Sequence, residues 1–304
     1  MAHKRWWLEH VKKREEERLA NGAEEFEEDY RDGGWTSAHA DAGRGDAETI
    51  RKLAAQEPDA LTKCDLLGHT LAHAAAYGQH SAVIRMLGEL VAETLGRGND
   101  INGEAPAHIA ARNGDVATIH VLNELVPYTL QQTDEEGRIP AHYAANAGNE
   151  EMVRLLGKLA PSTLGQGDKM GRTPVHEAVR NRDVVMIRAL AELNPPALSK
   201  AARGGATPAH WAATDGTTIR LLHELAPSTL SMVDDEGATP AHWAVKTRNE
   251  EVIQVLAELV PFVFNTTDHL DRTPSDLAVE QGNDEMGRLI GYYARRARLA
   301  RLGF

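Results

Sequence analysis

Cysteine is almost absent. Cys64 stands alone among 304 residues, so no intrachain disulfide can form and a reducing compartment fits. Basic charge is also short. With 33 Lys and Arg against 45 Asp and Glu, the formal charge of −12 argues against the positive footprint of a nucleic-acid binder. No apolar run approaches the roughly 18 residues of a conventional membrane-spanning helix. The opening MAHKRWWLEHVKKREEERLA carries cations but no apolar h-region, so no standard secretory signal is expected. These shortages predict a soluble, cytoplasmic, monomeric protein that engages neither nucleic acid nor membrane.

Catalytic motifs are missing as well. His176-Glu177 lacks the second histidine of H-E-x-x-H, because Arg180 occupies that place. GQGDKMGRT at 165–173 fits neither phosphate-loop pattern, and no G-x-S-x-G occurs. Cys64 has no activating neighbour in sequence. His69 and His73 are four apart, yet Gly68 and Thr70 put His69 in a turn and no third ligand is evident, so a metal there is a weak reading. No catalytic residue, metal or cofactor is predicted.

What is present is repetition. GATPAHWA occurs at Gly205–Ala212 and again, letter for letter, at Gly237–Ala244. Weaker copies place histidines at His39, His73, His108, His142, His176, His210 and His242, with Asp276 in an eighth copy; the steps are 34, 35, 34, 34, 34, 32 and 34 residues. A period held this tightly marks a stacked-repeat protein. Its units cannot bury a core alone, so the stack grows as one array. Histidines on packed helices about 8–10 Å apart cannot share an ion that each must reach at about 2 Å.

The stretch Gly137–Met170 shows the unit. Pro140 suits the first turn of a short helix that stops near Gly148. A second helix begins around Asn149 with Glu150 and Glu151 against its N-terminal dipole, and Met152, Val153, Leu156, Leu159 and Ala160 form one apolar face. Pro161 ends that pattern, and Gly165, Gly167 and Gly171 mark turns.

Gly-x-Thr-Pro-x-His-x-Ala opening a helix–turn–helix–turn unit, with Asp three residues before the Gly, resembles the ankyrin repeat. The aspartates are Asp65, Asp100, Asp134, Asp168, Asp234 and Asp268. The resemblance covers roughly Gly34 to Tyr293 and implies an all-α helix-turn-helix solenoid of about eight repeats with helical caps. It also implies that the phase histidines brace neighbouring turns through backbone hydrogen bonds. Two departures stand out. The family's Gly-Ala-Asp after the second helix is replaced by VPYTL, APSTL, NPPAL, APSTL and VPFVF, so that helix can end differently. In the sixth copy TDGTTIRLL is two residues short and Ala202 replaces the aspartate, which predicts an irregular seam between Ser199 and Ile219.

The domain plan expected is a charged segment 1–33, repeats over 34–281, and a last helix with a basic cap over 282–304. The first segment reads either as a polar cap or as a partner-binding arm anchored by Trp6 and Trp7, followed by an acidic linker from Ala23 to Gly33. The end, with five arginines after Met286 and no acid, reads as a closing helix burying Leu289, Ile290 and Tyr293.

The residue after each phase histidine varies, and the resemblance places it on the inner helix of a concave partner-binding face. The expected contacts are Tyr143, Trp211 and Trp243, with the turn tips Glu135, Glu136, Lys169, Met170, Asp235 and Glu236 and the helix-end Arg180. Packing of the tryptophans on each other or on neighbouring turns is an equal reading. The function implied is a non-enzymatic module or scaffold that binds a protein partner. The alternatives are an effector or regulatory subunit acting on a host or cellular protein, and an enzyme with an unrecognised site.

Overall fold

The computed structural model describes residues 35–301. The first segment, with Trp6, Trp7 and the acidic run, lies outside them. The described residues form sixteen α-helices, from Ser37–Arg44 to Asp284–Arg301, and contain no strand. They fall into two compact units divided between Tyr143 and Ala144.

From Pro106 onward the short first helices open on a proline. In Pro174–Arg180 the proline stands at the start, and Thr173 and His176 form a reciprocal cap in which His176 takes the place usual for Glu. Apart from Ser81–Val91, which follows His80, each second helix starts on an Asp or Asn whose side chain accepts the N–H three residues on. Asp115 accepts from Thr118, and Asn149 accepts from Met152. The second helix then ends at the proline phrase. Pro127–Gln131, Pro161–Gly165, Pro195–Ser199, Pro227–Ser231 and Pro261–Asn265 are each one 3₁₀ turn, with Leu130, Leu164, Leu198, Leu230 and Phe264 buried. The Thr129, Thr163 and Thr229 hydroxyls donate back to the carbonyls of Val126, Ala160 and Ala226 at 2.6–2.8 Å. A proline-initiated turn thus satisfies carbonyls that a simple helix end would expose.

The two odd steps have different structural causes. Between His73 and His108 the extra residue lies in the turn, where Asn99, not Asp100, takes the capping place. Its Oδ1 accepts from Ile101 and Asn102, and its own N–H donates to Glu104 rather than to the fourth residue on. The expectation for Asp100 is therefore corrected. Asp100 is one residue along, exposed, with its N–H on Leu67 O at 2.8 Å. Between His210 and His242 the missing pair shortens the first helix to Pro208–Trp211, followed by the 3₁₀ turn Ala212–Thr214. Other first helices leave through a left-handed residue such as Gly148, Arg182 or Arg248; here Asp215 follows in extended form.

The closing helix Asp284–Arg301 buries Met286, Ile290 and Ala297. Leu289 and Tyr293 are half-buried, with Tyr293 stacked on Phe264, while Arg288, Arg295, Arg296 and Arg298 are exposed.

Candidate functional site

The phase histidines use both ring nitrogens. In the unit ending at Tyr143, the Thr70 N–H donates to His73 Nδ1 at 3.0 Å, and Nε2 meets Glu104 O at 2.8 Å. In the unit beginning at Ala144, Thr173, Thr207 and Thr239 donate to His176, His210 and His242 at 3.1 Å. Their Nε2 atoms reach the carbonyls of Ala206, Ala238 and Arg272 at 3.3, 2.9 and 3.0 Å. A backbone N–H on Nδ1 forces that nitrogen to accept, so the proton sits on Nε2 and is donated across to the next turn. Burial lowers the pKa of His39, His73, His108, His210 and His242, with His73 at about 3.

The capping aspartates hold the turns. Asp234 Oδ1 accepts from the Glu236 and Ala238 N–H groups at 2.9 Å each, and Asp65, Asp134, Asp168 and Asp268 do the same. Successive tips are joined by backbone hydrogen bonds. In the first unit Glu135 donates to Asn102 O; in the second Arg203, Asp235 and His269 donate to Met170, Gly204 and Glu236.

The aromatic row lies against this frame. Each ring stands edge-on to the phase histidine of the previous repeat: Tyr143 to His108 at 5.2 Å, Trp211 to His176 at 5.3 Å and Trp243 to His210 at 5.7 Å. Among the described residues the two tryptophan rings do not pair with each other.

Tyr143 is 8% exposed. Its hydroxyl lies 2.6 Å from Asp134 Oδ2 and 3.0 Å from Glu104 Oε1 and accepts from Arg138 at 2.9 Å, with the Arg112 and Arg138 guanidinium groups 4.9 Å from the ring centre. Burial, then the Glu104 charge, raises the phenol far above its ordinary range. Tyr143 is therefore a saturated interior residue, and its expected role as a partner contact is corrected.

Trp243 is half-buried, donates its indole N–H to Asp234 Oδ2 at 2.8 Å, and has Lys246 Nζ 6.0 Å from its ring centre. Trp211 is half-buried too, but Ala202 stands where Asp234 would be, and the Trp211 indole N–H has no acceptor in the described chain.

The tip residues Glu135, Glu136, Lys169, Met170, Asp235 and Glu236 are all exposed. Glu136 pairs with Arg138 at 3.3 Å and Glu236 with Lys246 at 3.2 Å. Arg180 is exposed, paired with Glu177 and hydrogen-bonded to Asn146 Oδ1 at 3.0 Å. Three features went unread in sequence. One is the interior cluster Glu104–Asp134–Arg138, in which Glu104 is far in sequence from the other two. Another is the exposed Arg203, whose guanidinium donates to Met170 Sδ at 4.0 Å and meets no carboxylate. The third is the set of apolar tips in the first unit, Leu66 at 75% and Ile101 at 49% exposure. Leu66-Leu67 directly after a capping Asp was a usable signal for the last.

Among the described residues no helix is long and apolar enough to cross a membrane. A family model described as "Ankyrin repeats (3 copies)" matches residues 87–163, 107–197 and 209–295, more than half of the chain, and leaves 198–208 unmatched between the last two. No curated protein matches the sequence. Among solved structures, the ankyrin repeat domain of Bcl-3, described as a unique member of the IkappaB protein family, is similar with a TM-score of 0.61 and 24% identity; the likeness covers 73% of this chain and 98% of that one.

Proposed function

The chain belongs to the ankyrin-repeat family, and from that premise we propose that it is a non-enzymatic protein-interaction module. The partner lies along the first helices and turn tips of the unit beginning at Ala144. The observation that carries this is the pair Trp211 and Trp243, half-buried and held edge-on by His176 and His210 beside exposed Lys169, Met170, Asp235 and Glu236. Fixed aromatic rings among mixed charges supply contact area at low entropic cost. Against an enzymatic reading, the histidines with both ring nitrogens engaged are committed to structure and offer no base.

The test is affinity capture from the native cytosol with the full chain, followed by titration of the captured partner. Trp243→Ala is expected to weaken binding by about 2 kcal/mol, mainly through faster dissociation. Replacing Lys169 by Glu is expected to slow association instead. Unchanged affinity in Trp243→Ala, together with a lowered melting temperature, would assign the aromatic pair to packing alone.

A further inference from the structure

Residues 205–212 and 237–244 are the same eight letters, and the same backbone bonds frame both turns. Ala202 N–H meets Ala206 O at 2.9 Å, as Asp234 N–H meets Ala238 O; Gly205 N–H meets Ala202 O at 3.0 Å, as Gly237 N–H meets Asp234 O. In the later turn the Asp234 carboxylate takes three N–H donors: Glu236 and Ala238 on one oxygen and Trp243 on the other. In the earlier turn a methyl group replaces that carboxylate. The N–H groups of Ala206 and Trp211, counterparts of Ala238 and Trp243, have no acceptor in the described chain.

The third counterpart, Gly204, differs in one respect. Its φ of 80° and ψ of 12° are those of a type II turn, whereas Glu236 has no positive φ. The Arg203–Gly204 peptide is thus reversed relative to the type I form. Gly204 is exposed, and a Cβ built on it would meet nothing within 4 Å, so Gly204→Ala adds no clash to the turn.

Charge points the same way. Arg203 and Lys169 are exposed and paired with no carboxylate, and Arg203 N–H lies on Met170 O, which brings the two tips together. Asp235 stands on the other side, against Gly205. That balance accepts one negative charge and disfavours a polyanion, which would run on into Asp235 and Glu236.

We propose that the turn Ala202–Ala206 beneath Trp211 binds one carboxylate from an acidic segment of the protein partner. The partner's oxygen lies beyond the Ala202 methyl and reaches for the donors that Asp234 takes from within in the next turn. Ala206 and Trp211 supply two donors, and reversal of the Arg203–Gly204 peptide supplies the third. This rests on the interaction reading above and names the chemistry of the partner.

The ¹⁵N-labelled full chain is titrated with the capped peptide acetyl-Gly-Asp-Gly-amide, its Asn counterpart, inorganic phosphate and a single-stranded oligonucleotide. The Asp peptide is expected to shift the Ala206 amide and Trp211 indole resonances downfield to saturation, and the other probes are not. Ala202→Asp is expected to show both shifts without ligand and no response to it. Trp211→Phe should bind about fivefold more weakly, the equivalent of one neutral hydrogen bond. Gly204→Ala disfavours the left-handed form and should bind about fivefold more tightly.

Absence of saturable shifts, an equal response in Ala202→Asp, or an equal response to phosphate or oligonucleotide overturns the assignment. A captured partner that binds Ala202→Asp as well as the parent sinks this site and leaves the interaction reading standing. A successful titration with no partner captured does the reverse.

Discussion

The turns before Trp211 and Trp243 invite comparison within one chain. Eight identical residues follow each and the same histidine geometry holds each ring, while the three positions before them differ: Ala202, Arg203 and Gly204 against Asp234, Asp235 and Glu236. With the aspartate, the turn is type I-like and the indole N–H is satisfied from within. In the earlier turn Gly204, standing where the later turn has Glu236, adopts a positive φ, and the Ala206 amide and Trp211 indole N–H have no acceptor in the described chain. A repeat motif therefore fixes where a side chain stands, while the residue nine positions earlier fixes whether its polar atom is spent.

The largest expected effect tests the shared frame. His210→Ala and His242→Ala should each cost about 2–3 kcal/mol in urea denaturation, because each leaves a buried N–H and a buried carbonyl unpaired. A cost below about 0.5 kcal/mol for either would show that the histidine bridges are incidental to the frame. Next comes Asp234→Ala, which removes the capping carboxylate from the later turn. It should cost about 2 kcal/mol by orphaning three N–H donors near the surface, and Ala202→Asp should return about 1 kcal/mol. Equal and opposite melting shifts near zero would break the comparison.

Acid offers a third probe. A histidine with a lowered folded pKa is neutral when folded, so the unfolded chain binds more protons below the unfolded value near 6.5. Stability is full above that value and falls as pH drops towards the folded value. For His73, at about 3, the loss is about 1.4 kcal/mol per pH unit across that window. His73→Gln should flatten the melting-temperature profile between pH 6 and 4; an unchanged slope would remove His73 as a source. The smallest effect is local. The Ala206 amide should exchange hydrogen faster than the Ala238 amide, since only the latter is bonded to a carboxylate. Equal protection of both would mean that the earlier turn holds its donors in some other way.

Much was legible before any coordinates. The histidine period gave the repeat, and prolines and Asn or Asp caps gave the helix starts, because these act through neighbours three or four residues away. The 35-residue step was visible, but its site was not: Asp100 sits in the expected spacing, and only the backbone bonds show Asn99 doing the capping. Tyr143 was misread for a related reason. Its burial depends on Glu104, which lies 39 residues away, and no local pattern announces that pair.

Sequence alone thus determined the helical period and the seam at Ala202, since each rests on a short pattern repeated many times, while the bracing by histidine was implied by the family resemblance. Tertiary structure alone decided which aromatic is interior, which indole is bonded and which turn presents unspent donors. Those outcomes depend on groups that meet only when one turn packs on the next.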